Sequence, residues 1–268
     1  MTRSAYYKFA GRPTTTTELR RRDLLREIQN IHQRPKRDSY GSPRIHRELI
    51  DQGVKCSRNT VAKLMRQAGI RANRAKTFRV CTTDSRHTQT IAPNRLDQQF
   101  SDSNINRVWL TDITYIPTQE GFSYLCTVQD LCSRRIVGWA MSRSADAMLT
   151  VSALKQAIAL RAPSSGVIVH SDRGSQYASR AFRQVLRKHR LLQSMSRKGN
   201  CYDNAPMESF FKSLKAEEIR RQIYETHEQA VRAVADYIER FYNPERLHST
   251  LKYVSPVKFE NSLEHQAA

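Results

Sequence analysis

Near residue 107 the spacing of apolar residues changes period. Up to residue 70 they recur every three to four positions, and from 107 onward they alternate. That change requires a helical segment followed by a sheet. In TELRRRDLLREIQNIHQ, Leu24, Leu25, Ile28 and Ile31 fall on one helical face. A second helix is predicted over PRIHRELIDQG, with Ile45, Leu49 and Ile50 inward and Gly53 as its stop. Ser57 can cap a third, RNTVAKLMRQAG, with Val61, Leu64, Met65 and Ala68 as its apolar stripe. Two short helices, a Gly-containing link and a capped basic helix make a helix-turn-helix pattern. The last helix offers Arg58, Asn59, Lys63 and Arg66, side chains suited to phosphates and base edges.

The second half reads differently. RVWLTDITYIPT alternates as a strand, EGF turns, FSYLCTVQDL is a second strand and CSRRIVGWAMS a third. DAMLTVSALKQAIALR is a helix, GVIVHSD a short buried strand, the stretch from Gln176 to His189 a helix, LLQSMS a strand, and APMESFFKSLKAEE a helix. Three strands and then helix, strand, helix, strand, helix predict an α/β fold. Its sheet is mixed, with helices on its faces, and a small all-α domain precedes it. The expected boundaries are a basic helix-turn-helix region over 1–80 and a linker over 81–106. An α/β core with a C-terminal helix follows over 107–262, then a tail over 263–268.

Charge narrows the partner. The chain carries a formal +20, and residues 1–80 hold 20 Lys/Arg against 6 Asp/Glu. A polyanion, above all nucleic acid, is the expected partner. No stretch reaches the roughly 18 apolar residues of a membrane span, and MTRSAYYKFAGRP has no apolar signal core. The 5 cysteines are odd in number and lack C-x-x-C spacing, so free thiols in a reducing cytoplasm are expected. A zinc site from His32, His46, Cys56 and Cys81 fits no finger spacing.

Three acids stand out. Asp112 lies mid-strand in WLTDITY and Asp172 ends VIVHSD, although Asp is depleted from strands and costly to bury. An aspartate at a strand's carboxyl end occupies the usual ligand crevice of an open α/β sheet, and Glu208 can join from its helix. Three close carboxylates need a cation. Mg²⁺, held by carboxylates, water and substrate phosphate, is the natural one, and two such ions suit phosphoryl transfer. Other readings stay open: Asp172 before Arg173-Gly174 can be a turn residue, and Glu208 with Lys212 can be a simple i, i+4 pair. Asp130 reads as a hairpin-turn residue and Asp203 as a helix cap preceding Pro206.

The spacing and the words then point to a family. Between Asp172 and Glu208 stand 35 residues, and Lys215 lies seven beyond Glu208. This resembles the D, D-35-E signature, with its trailing basic residue, of insertion-sequence transposases and retroviral integrases. VWLTDITYI, YLCTVQDLCSRRIVGWAMS, VIVHSDRGSQYAS, SMSRKGNCYDNAPMESFFKSLK and YNPERLHSTLKYVSP, with YGSPRIHREL around Arg44, are similar to insertion-sequence family three.

The resemblance implies a retroviral-integrase-like, RNase H-type core in which Asp112, Asp172 and Glu208 are both the catalytic residues and the ligands of two Mg²⁺ ions (Mn²⁺ could substitute). It implies Lys215 and Lys212 on DNA near the cut, and the basic charge of the first third makes Arg44, Arg58, Asn59, Lys63 and Arg66 the expected further DNA contacts. The implied reaction frees a 3′-hydroxyl at the element's ends and drives it onto another phosphodiester. The implied partners are DNA, an upstream-frame transposase product and further copies of the chain on DNA. With no heptad run, the chain resembles the downstream-frame product. A DNA-binding regulator of the element and an RNA–DNA hybrid nuclease are the competing readings. Arg246 and His248 in YNPERLHST receive no role from sequence alone.

Overall fold

The computed structural model describes residues 14–73, 89–98, 104–197 and 201–267. The chain divides into two compact units, Met1–Arg74 and Ala75–Ala268.

In the first unit, α1 (Thr16–Gln33) begins with a capping box in which Thr15 and Glu18 satisfy each other's backbone N–H groups. α2 (Ser42–Asp51) and α3 (Arg58–Gln67) follow. The Ser57 hydroxyl accepts the Thr60 N–H at 3.2 Å, the expected cap. Leu24, Ile28, Ile31, Ile45, Leu49, Val61, Leu64 and Met65 are buried together with the ring of Tyr40. Two members of the expected stripes are not: Ile50 is 42% exposed and Ala68 is exposed. Both sit at helix ends, where the face turns away from the small core and Ala68 is itself the C-cap.

The second unit is a five-stranded sheet in the order β3-β2-β1-β4-β5. β1 (Val108–Thr118), β2 (Gly121–Asp130) and β3 (Ile136–Ser142) form an antiparallel meander, while β4 (Ile168–Ser171) and β5 (Leu192–Met195) run parallel to β1. The sheet is therefore mixed, as the element order requires. α4 (Ala147–Arg161) packs on the face that presents Trp109, Cys126, Val128 and Val137. Its approach depends on Gly138, where a Cβ would come within 2.4 Å of the Ala153 carbonyl. The helix expected from Gln176 to His189 is broken in two. α5 (Ser175–Ala178) stops at Ser179, whose hydroxyl then caps α6 (Arg180–Lys188) by accepting the Phe182 N–H.

The opposite sheet face is covered by α7 (Ala205–Glu217) and by α8 (His227–Asp236), which runs on as a π-helical turn, Tyr237–Tyr242. Gln129 on that face donates to the Tyr242 hydroxyl at 3.0 Å, and Tyr242 meets Phe210 of α7 edge-on, ring centroids 4.7 Å apart. α9 (Pro256–Ala267) closes the chain, with Glu260 held by Arg135 at 2.6 Å and by Arg161.

Residues 89–98 belong to the segment expected as linker, yet they dock on this unit. The Ala92 N–H meets the Met195 sulfur, the Arg95 N–H donates to the Ser194 hydroxyl at 2.8 Å, and Leu96 is buried. Among the described residues no helix is long and apolar enough to cross a membrane.

Candidate active site

Strand register brings the two aspartates together. β1 and β4 pair as Val108 with Ile168, Trp109 with Val169 and Leu110 with His170. Carrying that register two residues further sets Asp112, in the middle of β1, beside Asp172, just past the carboxyl end of β4. Asp112 Oδ1 accepts the Ile113 N–H at 2.8 Å and Asp172 Oδ1 accepts the Gly174 N–H at 3.0 Å. A Cβ at Gly174 would stand 3.1 Å from that Asp172 oxygen and 2.8 Å from Gln176 Oε1, so both side chains would have to shift to admit one.

α7 is tied to β1 at both ends. At its start, the amide of Asn204 donates to the Thr111 carbonyl at 3.4 Å, with Pro206 in the first turn. Toward its end, the Lys215 ammonium lies 4.7 Å from the centroid of the Tyr115 ring. Glu208 is thereby held in the first turn of a helix running past Asp112.

The electrostatics follow from this geometry. Burial pushes the Asp112 carboxyl well above the ordinary carboxylate range; the charges of Asp172 and Glu208 push the same way, and the Ile113 N–H and Lys215 pull against them. Burial and Arg220 lower the Lys215 ammonium, while Asp112 raises it. Asp112 thus senses both other acids and the lysine. Glu208 itself is turned along its helix to Lys212, with Oε2 and Nζ 3.6 Å apart and both side chains substantially exposed. Among the described residues no three His, Cys, Asp or Glu side chains stand close enough to hold one ion. Each aspartate accepts a backbone N–H, whereas the described contact of Glu208 is the one with Lys212.

The expected DNA contacts are distributed over both units. Arg58, Asn59, Lys63 and Arg66 are all exposed on α3. Arg44 is half-buried, its guanidinium 5.1 Å from the Tyr40 ring centroid. Of the residues weighed for zinc, Cys81 lies outside the described residues, and the His46 ring nitrogen contacts the Cys56 carbonyl at 3.1 Å. Cys56, Cys126 and Cys132 are free thiols.

Asp130 serves its turn, accepting the Cys132 and Ser133 N–H groups at 3.0 Å and that of Asn106 at 2.7 Å. Asp203 corrects the sequence reading: it does not cap α7, whose N-cap is Asn204. It is fully buried and accepts from the Arg197 backbone at 2.7 Å, the Arg197 guanidinium at 2.9 Å, Gln98 at 2.9 Å and Asn94 at 3.2 Å. Desolvation works to raise its carboxyl, but the Arg197 bonds prevail and hold it down at about 2.

The unassigned word YNPERLHST also finds its place. Arg246 grips Glu217 at the far end of α7 through two bonds, 2.7 and 2.8 Å, and donates to Ser213 of the same helix at 2.9 Å. The Tyr237 hydroxyl donates to the same carboxylate at 2.8 Å, and the His248 ring lies edge-on to Tyr242. No sequence signal distinguishes Glu217 from the neighbouring Glu218; only the contact, 29 residues apart in the chain, does so.

Comparison with known proteins gives the family. Models described as an integrase core domain match residues 102–201 and 208–263, and one described as an HTH-like domain matches 10–78. The chain is 38% identical over 268 residues, 100% of its own length and 98% of the relative's, to an insertion element IS600 31 kDa protein of Shigella sonnei. It is 40% identical over 239 residues to the transposase for insertion sequence element IS904 of Lactococcus lactis, covering 89% of this chain and 94% of that protein. It is 43% identical over 222 residues to transposase InsF for insertion sequence IS3A of Escherichia coli K12, covering 83% and 77%. With relatives this similar along most of its length, a helix-turn-helix-like first unit and an integrase core, the chain belongs to the insertion-sequence transposases of family three.

Proposed function

We propose that the chain cleaves DNA at the ends of an insertion sequence and joins the freed 3′-hydroxyl to a second phosphodiester, using Asp112, Asp172 and Glu208. The observation that carries this reading is the register that sets the two aspartates side by side, with the Glu208 helix pinned along the same strand. A half-buried carboxylate sensing two further negative charges fits a hard divalent cation, because every donor offered is an oxygen. Mg²⁺ held there would supply charge neutralisation at the phosphoryl oxygens and activation of the attacking oxygen, and two such ions would suit phosphoryl transfer.

The chain's own groups do the rest. Asp112 from the middle of β1 and Asp172 from just past the end of β4 would offer oxygens to the ion, and Glu208 would join them on leaving Lys212. Lys212, released, and Lys215, braced on Tyr115, hold the phosphate backbone beside the cut. Arg44, Arg58, Asn59, Lys63 and Arg66 hold DNA through the helix-turn-helix of the first unit. Assembly of several copies on DNA, together with an upstream-frame product, belongs to the same reading.

The test is a cutting and joining assay on labelled duplex bearing the element's ends, with the upstream product present. Wild-type chain is expected to cut in Mg²⁺ and not in EDTA, and Glu208→Gln and Asp112→Asn to bind without cutting. Cutting by either variant at the wild-type rate sinks the assignment. Binding without cutting by the wild type in Mg²⁺ and in Mn²⁺ favours a regulator.

A further inference from the structure

We propose that the exposed face of α6 is a second binding track for the phosphate backbone of duplex DNA, separate from the helix-turn-helix region; this rests on the function proposed above. The segment RAFRQVLRKHR, residues 180–190, carries Arg180, Arg183, Arg187, Lys188 and Arg190 and no acid. α6 buries Phe182 and Leu186 and turns Arg180, Gln184, Arg187 and Lys188 to solvent, where those four line a hollow of about 460 Å³. Among the described residues no carboxylate pairs with Arg180, Arg187 or Lys188. In the same unit Arg135, Arg161, Arg197 and Arg246 each hold an acid. Arg183 stands three residues from Arg180 and four from Arg187, so like charges repel one another along this helix, and the face is suited to a polyanion brought from outside.

The geometry suits a duplex backbone. From Arg180 to Lys188 the helix axis advances about 12 Å, and duplex DNA carries a negative charge about every 1.7 Å of its axis. Gln184, between the cations, adds a neutral donor for a phosphate oxygen. Topology gives the track a direction. α6 leaves the sheet end where β4 delivers Asp172 and returns to the opposite end, where β5 starts. Its Arg180 end is therefore the one nearer the acids, and the track leads away from them.

The experiment measures the affinity of the full chain for a random-sequence duplex at several salt concentrations, comparing wild type with the R180Q/R187Q/K188Q variant. Removing three phosphate contacts is expected to reduce the slope of log affinity against log salt by roughly 2 to 3. R180K/R187K/K188R, which keeps the charge, is expected to restore it. Should the triple variant fail to fold, R187Q alone is expected to reduce the slope by about 1. A folded triple or single variant with the wild-type slope overturns the track while leaving the proposed function standing. A wild type without salt-steep duplex binding overturns both.

Discussion

The two ends of α7 carry glutamates in opposite circumstances. Glu217 is buried and fully engaged: Arg246 bonds both its oxygens, Tyr237 bonds one, and Ser213 accepts a further bond from the same guanidinium. Glu208 is half-exposed and makes one long contact with Lys212 at 3.6 Å, in an i, i+4 pair of the kind worth a few tenths of a kcal/mol. One end of the helix is locked by groups that cannot be separated cheaply. The other holds a carboxylate that a rotamer change releases. A site that must take up a cation and phosphate needs both properties at once, an anchored helix and an uncommitted ligand.

Predictions that break or sharpen this contrast fall in order of size. Glu208→Gln is expected to remove cutting and joining in the Mg²⁺ assay while thermal unfolding shifts little; a matching loss of melting temperature would make Glu208 a second anchor. Arg246→Ala leaves a buried Glu217 without its counter-charge and is expected to cost about 3–5 kcal/mol of stability, read by chemical denaturation. A cost below about 1 kcal/mol would mean that the Glu217 end is not locked. Lys212→Ala is expected to change stability by less than about 0.5 kcal/mol, and a larger loss would show Glu208 to be committed after all.

Asp203 extends the contrast to pH. Its carboxyl is held at about 2, below the ordinary value, by Arg197. A carboxyl lowered on folding contributes stability above its unfolded pKa and loses it as pH falls through the folded one. Asp203→Asn is therefore expected to be less stable than wild type near neutrality, with the gap closing between about pH 4 and pH 2. A gap of constant size across that range would assign the effect to shape rather than charge.

Sequence made the sheet legible because alternation in WLTDITY and YLCTVQDL and the short apolar run VIVH have few alternatives. It made the acids legible because aspartate in such places is costly. Ile50 and Ala68 were misplaced because periodicity does not see where a small core ends. Asp203 looked like a cap from its position before Pro206, and the contacts that explain it come from Arg197, Gln98 and Asn94, two of them about a hundred residues away. Arg246 was silent for the same reason: a local pattern carries no record of a long-range partner. The side-chain state of Glu208, turned toward Lys212, is a choice between rotamers that spacing alone does not make.

The most direct test is a crystal structure of the chain with Mn²⁺ and an end-bearing duplex, with the ion located by its anomalous signal. The account predicts a peak about 2 Å from oxygens of Asp112 and Asp172, with Glu208 rotated off Lys212 to reach it. An ion held elsewhere, or one at the aspartates with Glu208 still turned away to Lys212, would contradict it.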